Sequence, residues 1–586
     1  MIKIFKYLKK KEWLFVTIGI AFVVMQVWLD LKLPDYMSTV TQLTQSPDSQ
    51  MSDILLNGGY MLLCALGSMA ASIVVGYFAA KVAATLSSRL REAMFKKTLS
   101  FSMEEINRFS TASLITRSTN DITQIQTTVA MGLQAIIKAP ILAVWAIMKI
   151  AGKSWQWTAA TGVAVIVIVL MLAILVILAV PKFQVTQKLT DKLNRITREN
   201  LLGIRVVRAY NAEKYQEEKF EGANTELTKV NTFVNKVMAL MSPTMTLVMS
   251  GITLAIYWIG AYLIDTANMM DKITLFSDMV VFSSYSMQVI MAFMLLSMMF
   301  IMLPRATVSA NRIMEVLETE VKIESGSKET NDDVETIEFK NVSFTYPDAS
   351  DNVLHDINFS INKGETVAFI GGTGSGKTTL VNLIPRFYDT SEGEVLINGE
   401  NVKQYDQKNL RKKIGYVSQK ATLFSGTVTS NVSYGDNQEV ISTENDIKEA
   451  VAIAQGTDFI EKMSDKYEGA IAQNGTNVSG GQKQRISIAR AVARKPEVYI
   501  FDDSFSALDY KTDKALRNAL HEEVGDATLL IVAQRIGTIK DADKIIVLDE
   551  GKIVGCGTHQ ELLQDCQVYQ DIAYSQLSKE ELEYGA

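Results

Sequence analysis

The chain has 586 residues, 48% of them hydrophobic and 21% charged, with a formal net charge of −6. That length exceeds one ordinary domain, and the acidic balance gives no support for a nucleic-acid-binding face, which would be basic. Cys64, Cys556 and Cys566 lack disulfide or metal spacing, and His355, His521 and His559 form no ligand cluster, so a disulfide framework and a histidine metal site are both set aside.

The opening MIKIFKYLKKK carries Lys3, Lys6, Lys9, Lys10 and Lys11. It leads into the first of six stretches that can cross a bilayer core of roughly 30 Å, which needs about 20 mostly apolar residues as a helix. These are residues 13–35, 57–85, 129–150, 157–180, 240–264 and 279–303. The first is too long for a signal segment and has no small-residue cleavage site, so it is expected to be retained. The loop 38–57 has no Lys or Arg, whereas Arg89, Arg91, Lys96 and Lys97 follow the second span, and Lys182, Lys188, Lys192, Arg195, Arg198, Arg205 and Arg208 follow the fourth. This bias predicts a cell-membrane protein with both termini cytoplasmic, outvoting Lys149 and Lys153 in one short turn. The connections 86–128 and 181–239 are too long for bundle turns yet keep helical periodicity, so they are predicted to extend the membrane helices into the cytoplasm.

Ionisable residues at membrane depth are costly and often functional. Asp30 and Lys32 lie late in the first span, and Asp35 follows Pro34. Two readings stand: paired or snorkelling residues at the outer interface, or an outer gate or substrate contact. In the sixth span Met287, Met291, Met294, Met298 and Met302 are spaced 4, 3, 4 and 4, within about 80° of one helical face. Such a face either packs on neighbouring helices or lipid, or walls a cavity that accepts many ligand shapes. Residues 319–334, charged and rich in Ser and Thr, read as a linker. From 335 to 586, short Val/Ile-rich strands alternate with helical stretches. The fold class is therefore a six-helix membrane domain, residues 1–318, fused to an α/β P-loop domain.

The apolar segment ETVAFI precedes GGTGSGKT, residues Gly371, Gly372, Thr373, Gly374, Ser375, Gly376, Lys377 and Thr378, with Thr379 next. A strand, a glycine-rich loop and a helix start are what phosphate binding requires: backbone N–H groups turn in around phosphate oxygens, Lys377 reaches the β- and γ-phosphates, and Thr378 offers its hydroxyl to Mg²⁺. Downstream, Ser479, Gly480, Gly481 and Gln482 of VSGGQKQRISIARAV open a helix that can present hydroxyl and backbone donors to a further phosphate.

This motif set, with VYIFDD, SFSALD and IVAQR behind it, resembles the ATP-binding-cassette exporters, as do RFSTASLITRSTNDITQIQ (108–126) and RENLLGIRVVRAYNAEKYQEEKF (198–220) in the two extensions. The resemblance covers nearly the whole chain. It implies short coupling helices at the tips of the extensions, docked on nucleotide-binding domains. It implies ATP and Mg²⁺ as ligands, with Tyr346 of VSFTYPDA stacked on adenine, Asp502 orienting the metal, and Gln419 sensing metal and attacking water. Signature residues 479–482 would contact ATP held on the opposite domain, and Asp509 of the D-loop would communicate across the dimer.

Departures from the family pattern are as informative. Val478 stands for Leu, a mild apolar exchange, and Ala470 in GAIAQNG stands where TExGxxG has its Glu, putting the usual cross-talk to the partner's coupling helix in doubt. Asp503 replaces the catalytic Glu and Gln534 the switch His. Asp is shorter by one methylene, roughly 1.5 Å of reach, whereas general-base contact spans only about 2.6–3.2 Å and a misplacement near 1 Å can cost about 10²-fold. Gln can touch a γ-phosphate but carries neither the charge nor the proton of His. Together they predict a slow or inactive site. The resemblance thus points to the degenerate-site subunit of a heterodimeric bacterial multidrug exporter, partnered with a second half-transporter in the lipid bilayer and moving amphipathic drug-like or lipid-like molecules outward. A slow homodimer, a dedicated lipid or peptide exporter and a non-transporting ATP-gated sensor are the alternatives. A soluble cassette protein is excluded by the six spans.

Overall fold

The computed structural model describes residues 2–46, 49–151, 154–329, 332–347, 349–435, 442–523 and 525–577. It forms two compact units: residues up to Leu99 with Ser110–Thr319, and Ser100–Phe109 with Glu320 onward.

In the first unit the described residues include six helices long and apolar enough to cross a membrane. Four of them far outrun the apolar stretches that mark them. Lys10–Gln45, Met51–Leu99, Trp155–Leu202 and Met269–Glu318 have 36, 49, 48 and 50 residues. At 1.5 Å per residue, 50 residues span about 75 Å, more than twice a bilayer core. The third span, Ile122–Ile150, is preceded by Thr111–Thr116 and a π-helical turn, Arg117–Asp121, while Glu213–Ala239 leads into the fifth, Met241–Thr266. Both long connections are thus helical.

Packing inside this unit is apolar with a few satisfied polar joints. Trp157, Phe282 and Tyr285 are fully buried among Val27, Leu31, Ile168 and Ile256, and the Trp157 indole N–H donates to the Ile256 carbonyl at 3.1 Å. Residues such as Leu62, Leu63, Ile73, Val163, Ile177 and Leu247 face outward, as expected of helices whose backbone bonds are internally satisfied and whose flanks meet lipid. Beyond the apolar stretches, Arg89 grips the buried Glu12 through two bonds, 2.8 and 2.9 Å. The family-like segment 108–126 supplies Arg117, which donates to Arg312 O (2.7 Å) and Glu315 (2.8 Å), and Asp121, which accepts from Ser309 (2.9 Å). These bonds tie the base of the third span to the last helix.

The second unit holds a six-stranded sheet in the order Lys552–Gly557, Lys544–Asp549, Thr366–Gly371, Thr528–Val532, Val498–Asp502, Ile414–Val417. All neighbours are parallel except the first pair. A four-stranded antiparallel sheet, Leu354–Asn362, Thr336–Phe344, Glu392–Ile397 and Glu400–Asn401, adjoins it. Core strands such as Thr528–Val532 are buried at every position, the signature of a parallel sheet covered on both faces. Strand Thr366–Gly371 sits centrally, so its carboxyl end lies beside that of Thr528–Val532, which in turn adjoins Val498–Asp502, at the edge where open α/β sheets bind ligands.

The short helix Met103–Phe109 belongs to this second unit. Its buried Glu105 accepts from Ser102 N (2.7 Å), from the Ser102 hydroxyl at its N-terminus, and from the linker amide of Lys322 (3.2 Å). Asn107 donates to the Tyr388 hydroxyl at 3.4 Å. Of the family-like segment 108–126, only Arg108 and Phe109 lie in this docked helix; the remainder belongs to the membrane unit.

Candidate nucleotide-binding and hydrolysis site

Two glycines of the phosphate loop adopt backbone conformations open to few other residues. Gly374 and Gly376 have φ of 84° and 94°, and a Cβ on Gly376 would lie 2.7 Å from Leu354 Cδ2. The loop lines a cleft of about 290 Å³ with Val353, Gln419, Asp503, Val532 and Gln534. Lys377 Nζ curls back onto its own loop, donating to Gly371 O (2.9 Å), Gly372 O (2.7 Å) and the Ser375 hydroxyl (3.2 Å). Burial lowers the pKa of this amine, and the nearby Asp503 and Asp502 charges only partly oppose the shift. Phosphate oxygens would replace three neutral acceptors with charged ones.

Asp502 ends the strand VYIFD, only 2% exposed. Thr378 donates its hydroxyl to Asp502 Oδ1 at 2.8 Å, and the Tyr416 hydroxyl lies 3.3 Å from Oδ2 and 3.0 Å from Asn382 Oδ1. Burial pushes the Asp502 carboxyl up and the adjacent Asp503 charge adds to it, against the hydrogen bonds from Thr378 and Tyr416. A buried carboxylate raised in this way gains most from an incoming cation. Tyr416 and Asn382 carry no motif; only the fold reveals them.

Asp503 has a left-handed φ of 48°, its N–H bonded to Val532 O at 3.0 Å. Its Oδ2 accepts two amides, Gln534 Nε2 at 2.8 Å and Gln419 Nε2 at 3.2 Å. The structure therefore brings together three of the residues singled out from the sequence. A water seeking Oδ2 must compete with both amides.

Other expected site residues fall elsewhere. Tyr346 does not line the cleft. Its hydroxyl lies 3.0 Å from Thr379 Oγ1, and its ring meets those of Tyr388 and Phe344 edge-on at 5.3 and 4.9 Å. Ser479 caps the helix Gly480–Ala493 in a capping box with Gln482, so Gln482 is occupied as a helix-start residue. Ser479 and Gly480 are exposed, and no residue from 479 to 482 lines the phosphate-loop cleft. Asp509 accepts from Thr512 N (3.0 Å) and its hydroxyl (2.8 Å), which hold its carboxyl below the usual range. Ala470 is exposed in a two-residue strand paired with Gly426–Thr427.

In the membrane unit the acids are paired. Asp30 accepts from Lys138 at 3.1 Å and from Ser68, and Asp35 accepts from Lys149 at 2.7 Å and from Tyr285, with Lys32 at 3.9 Å. Met287, Met294 and Met302 are half-buried and Met291 is exposed, whereas Ser286, Val289, Ile290 and Ala292 on the same helix are buried. The side chain of Met298 lies outside the described ones.

Residues 14–293 match the ABC transporter transmembrane region and residues 354–506 the ABC transporter family model. An uncharacterized ABC transporter ATP-binding protein of Mycobacterium tuberculosis is 39% identical over 523 residues, covering 88% of this chain and 87% of its own length. The ATP-dependent lipid A-core flippase of Pseudomonas fluorescens is 31% identical over 496 residues, 84% of this chain and 80% of its own. A solved bacterial Atm1-family ABC exporter with ATP bound shares the fold, with a TM-score of 0.78 at 23% identity over 96% of this chain and 97% of that one. Six membrane helices followed by a phosphate-loop domain, in a chain this similar to such relatives, belong to the ABC transporter family, and the protein is an exporter-type half-transporter with its own ATP-binding domain.

Proposed function

We propose that this half-transporter is the degenerate-site subunit of a heterodimeric exporter, with both termini and the ATP-binding domain in the cytoplasm. The observation that carries this reading is Asp503 Oδ2 engaged by Gln534 at 2.8 Å and Gln419 at 3.2 Å. The short acid is held by neutral amides, so water is poorly placed for proton abstraction. ATP would bind against residues 371–379, with Tyr346 near the base, and persist there. Ser479 and Gly480, both exposed, and Gly481, half-buried, lie outside this cleft and complete the partner's competent site.

The donor set fits Mg²⁺. Thr378 and the buried Asp502 are adjacent oxygen donors, and among the described residues no group of three or more His, Cys, Asp or Glu forms a closed cage. That suits a hard cation that keeps waters and phosphate oxygens as its other ligands. When bound, the ion would neutralise charge on the β- and γ-phosphates. Gln419, whose amide faces Asp503, would sit at the edge of that coordination sphere.

Cargo is an amphipathic drug-like or lipid-like molecule, leaving through a cavity walled in part by the half-open methionine face, with Asp30 and Asp35 at its outer end. Lipid-like cargo draws support from the 31% identity to a lipid A-core flippase. The test is affinity purification of the tagged full chain from its native membranes, followed by ATP-driven uptake of a fluorescent amphiphile into vesicles. A stoichiometric second half-transporter carrying Glu and His at these positions is expected. Coupled ATPase and transport by this chain alone would overturn the heterodimer.

A further inference from the structure

The switch residue Gln534 is followed by two residues that are also anchored. Arg535 donates to the Leu508 and Ser506 carbonyls at 3.4 and 3.3 Å. The Ile536 amide, which starts the short helix Ile536–Ile539, donates to Gln576 Oε1 at 2.9 Å, and Gln576 Nε2 donates back to Gln534 O at 2.7 Å. Gln576 is the last residue of the helix Gln567–Gln576, whose Tyr569 and Ala573 are fully buried in the sheet's core. One side-chain amide thus satisfies a carbonyl and an N–H two residues apart, like a rung of an antiparallel ladder. The backbone on both sides of Arg535 is pinned to a rigidly packed helix, which directs the Gln534 side chain at Asp503.

We propose that Gln576 is a positioning residue for the γ-phosphate switch: through this clamp, the C-terminal helix sets where Gln534 points and so how well the site distinguishes ATP from ADP. The proposal rests on the reading of Gln534 as a γ-phosphate contact. An unclamped loop would sample orientations that miss the γ-phosphate and leave the α- and β-phosphate cradle untouched.

The test titrates ATPγS and ADP against the full-length chain in detergent. Gln576→Ala is expected to lower the preference for ATPγS over ADP by about fivefold, the order of one net hydrogen bond, with ADP affinity unchanged. Gln534→Ala should lower the same ratio, and the double variant should be no worse than Gln534→Ala alone, because the two act as one unit. If Gln534→Ala leaves the ratio intact, the reading of Gln534 itself fails. If Gln534→Ala lowers the ratio but Gln576→Ala does not, or if Gln576→Ala weakens ADP equally, the clamp is overturned.

Discussion

Replacing Asp503 by Glu and Gln534 by His tests the proposed degeneracy of the hydrolysis site. The Asp503 backbone is held by its bond to Val532 O, so the added methylene pushes the carboxylate forward by roughly 1.5 Å rather than moving the chain. Gln534 Nε2 stands only 2.8 Å from Oδ2 and Gln419 Nε2 3.2 Å, so the longer acid meets an amide before it meets water. Asp503→Glu alone should therefore gain little. Gln534→His alone should also gain little, because the acid remains short. The double variant should recover on the order of 10²-fold in ATP turnover, about 2.7 kcal/mol of barrier, and the gain should be strongly non-additive because the two side chains touch. Phosphate release by the full-length chain in nanodiscs, alone and with any co-purifying subunit, reads this directly. Additive effects, or a double variant no faster than the native chain, would refute the reasoning.

Two further outcomes follow from the same geometry. Lys377 has a pKa lowered by burial, and bound phosphates raise it again, so binding favours the protonated amine. ATP affinity is then complete below the depressed free-state value and falls as pH climbs through it toward the value in the complex; fluorescent-ATP titrations from neutral to alkaline pH should show this loss, and a flat profile would contradict it. In the membrane unit, Asp30→Asn leaves Lys138, half-buried at 3.1 Å, without its counter-charge. A loss of about 1–3 kcal/mol is expected, seen as a lower Tm in detergent, and Asp30→Asn with Lys138→Met should recover most of it; simple addition of the two losses would argue against the pair.

Physical reasons separate what the sequence shows from what it hides. The phosphate loop is legible because eight contiguous residues carry all its chemistry, and the six spans because a bilayer demands length and hydropathy that composition displays. Helix ends were not legible: Lys10–Gln45 and Met269–Glu318 run well past their apolar stretches, since helical hydrogen bonding continues wherever packing supports it. The methionine spacing was readable, but only the packed structure shows Val289, Ile290 and Ala292 buried while Met291 stays open.

In the sequence, Asp503 and Gln534 are separate departures from the family pattern. Their contact is decided by the parallel pairing of Val498–Asp502 with Thr528–Val532, which closes a gap of 31 residues. Lys138 as the partner of Asp30, Tyr285 as the partner of Asp35, and Gln576 behind the switch lie 108, 250 and 42 residues from the groups they hold. A lysine in a span or a glutamine at a helix end has no local pattern that names its partner. The sequence by itself therefore determined the class of machine and its phosphate chemistry, because those depend on composition and short spacing. Which side chains restrain the acid and the switch was decided by tertiary structure alone, because hydrogen bonds depend on distance in space.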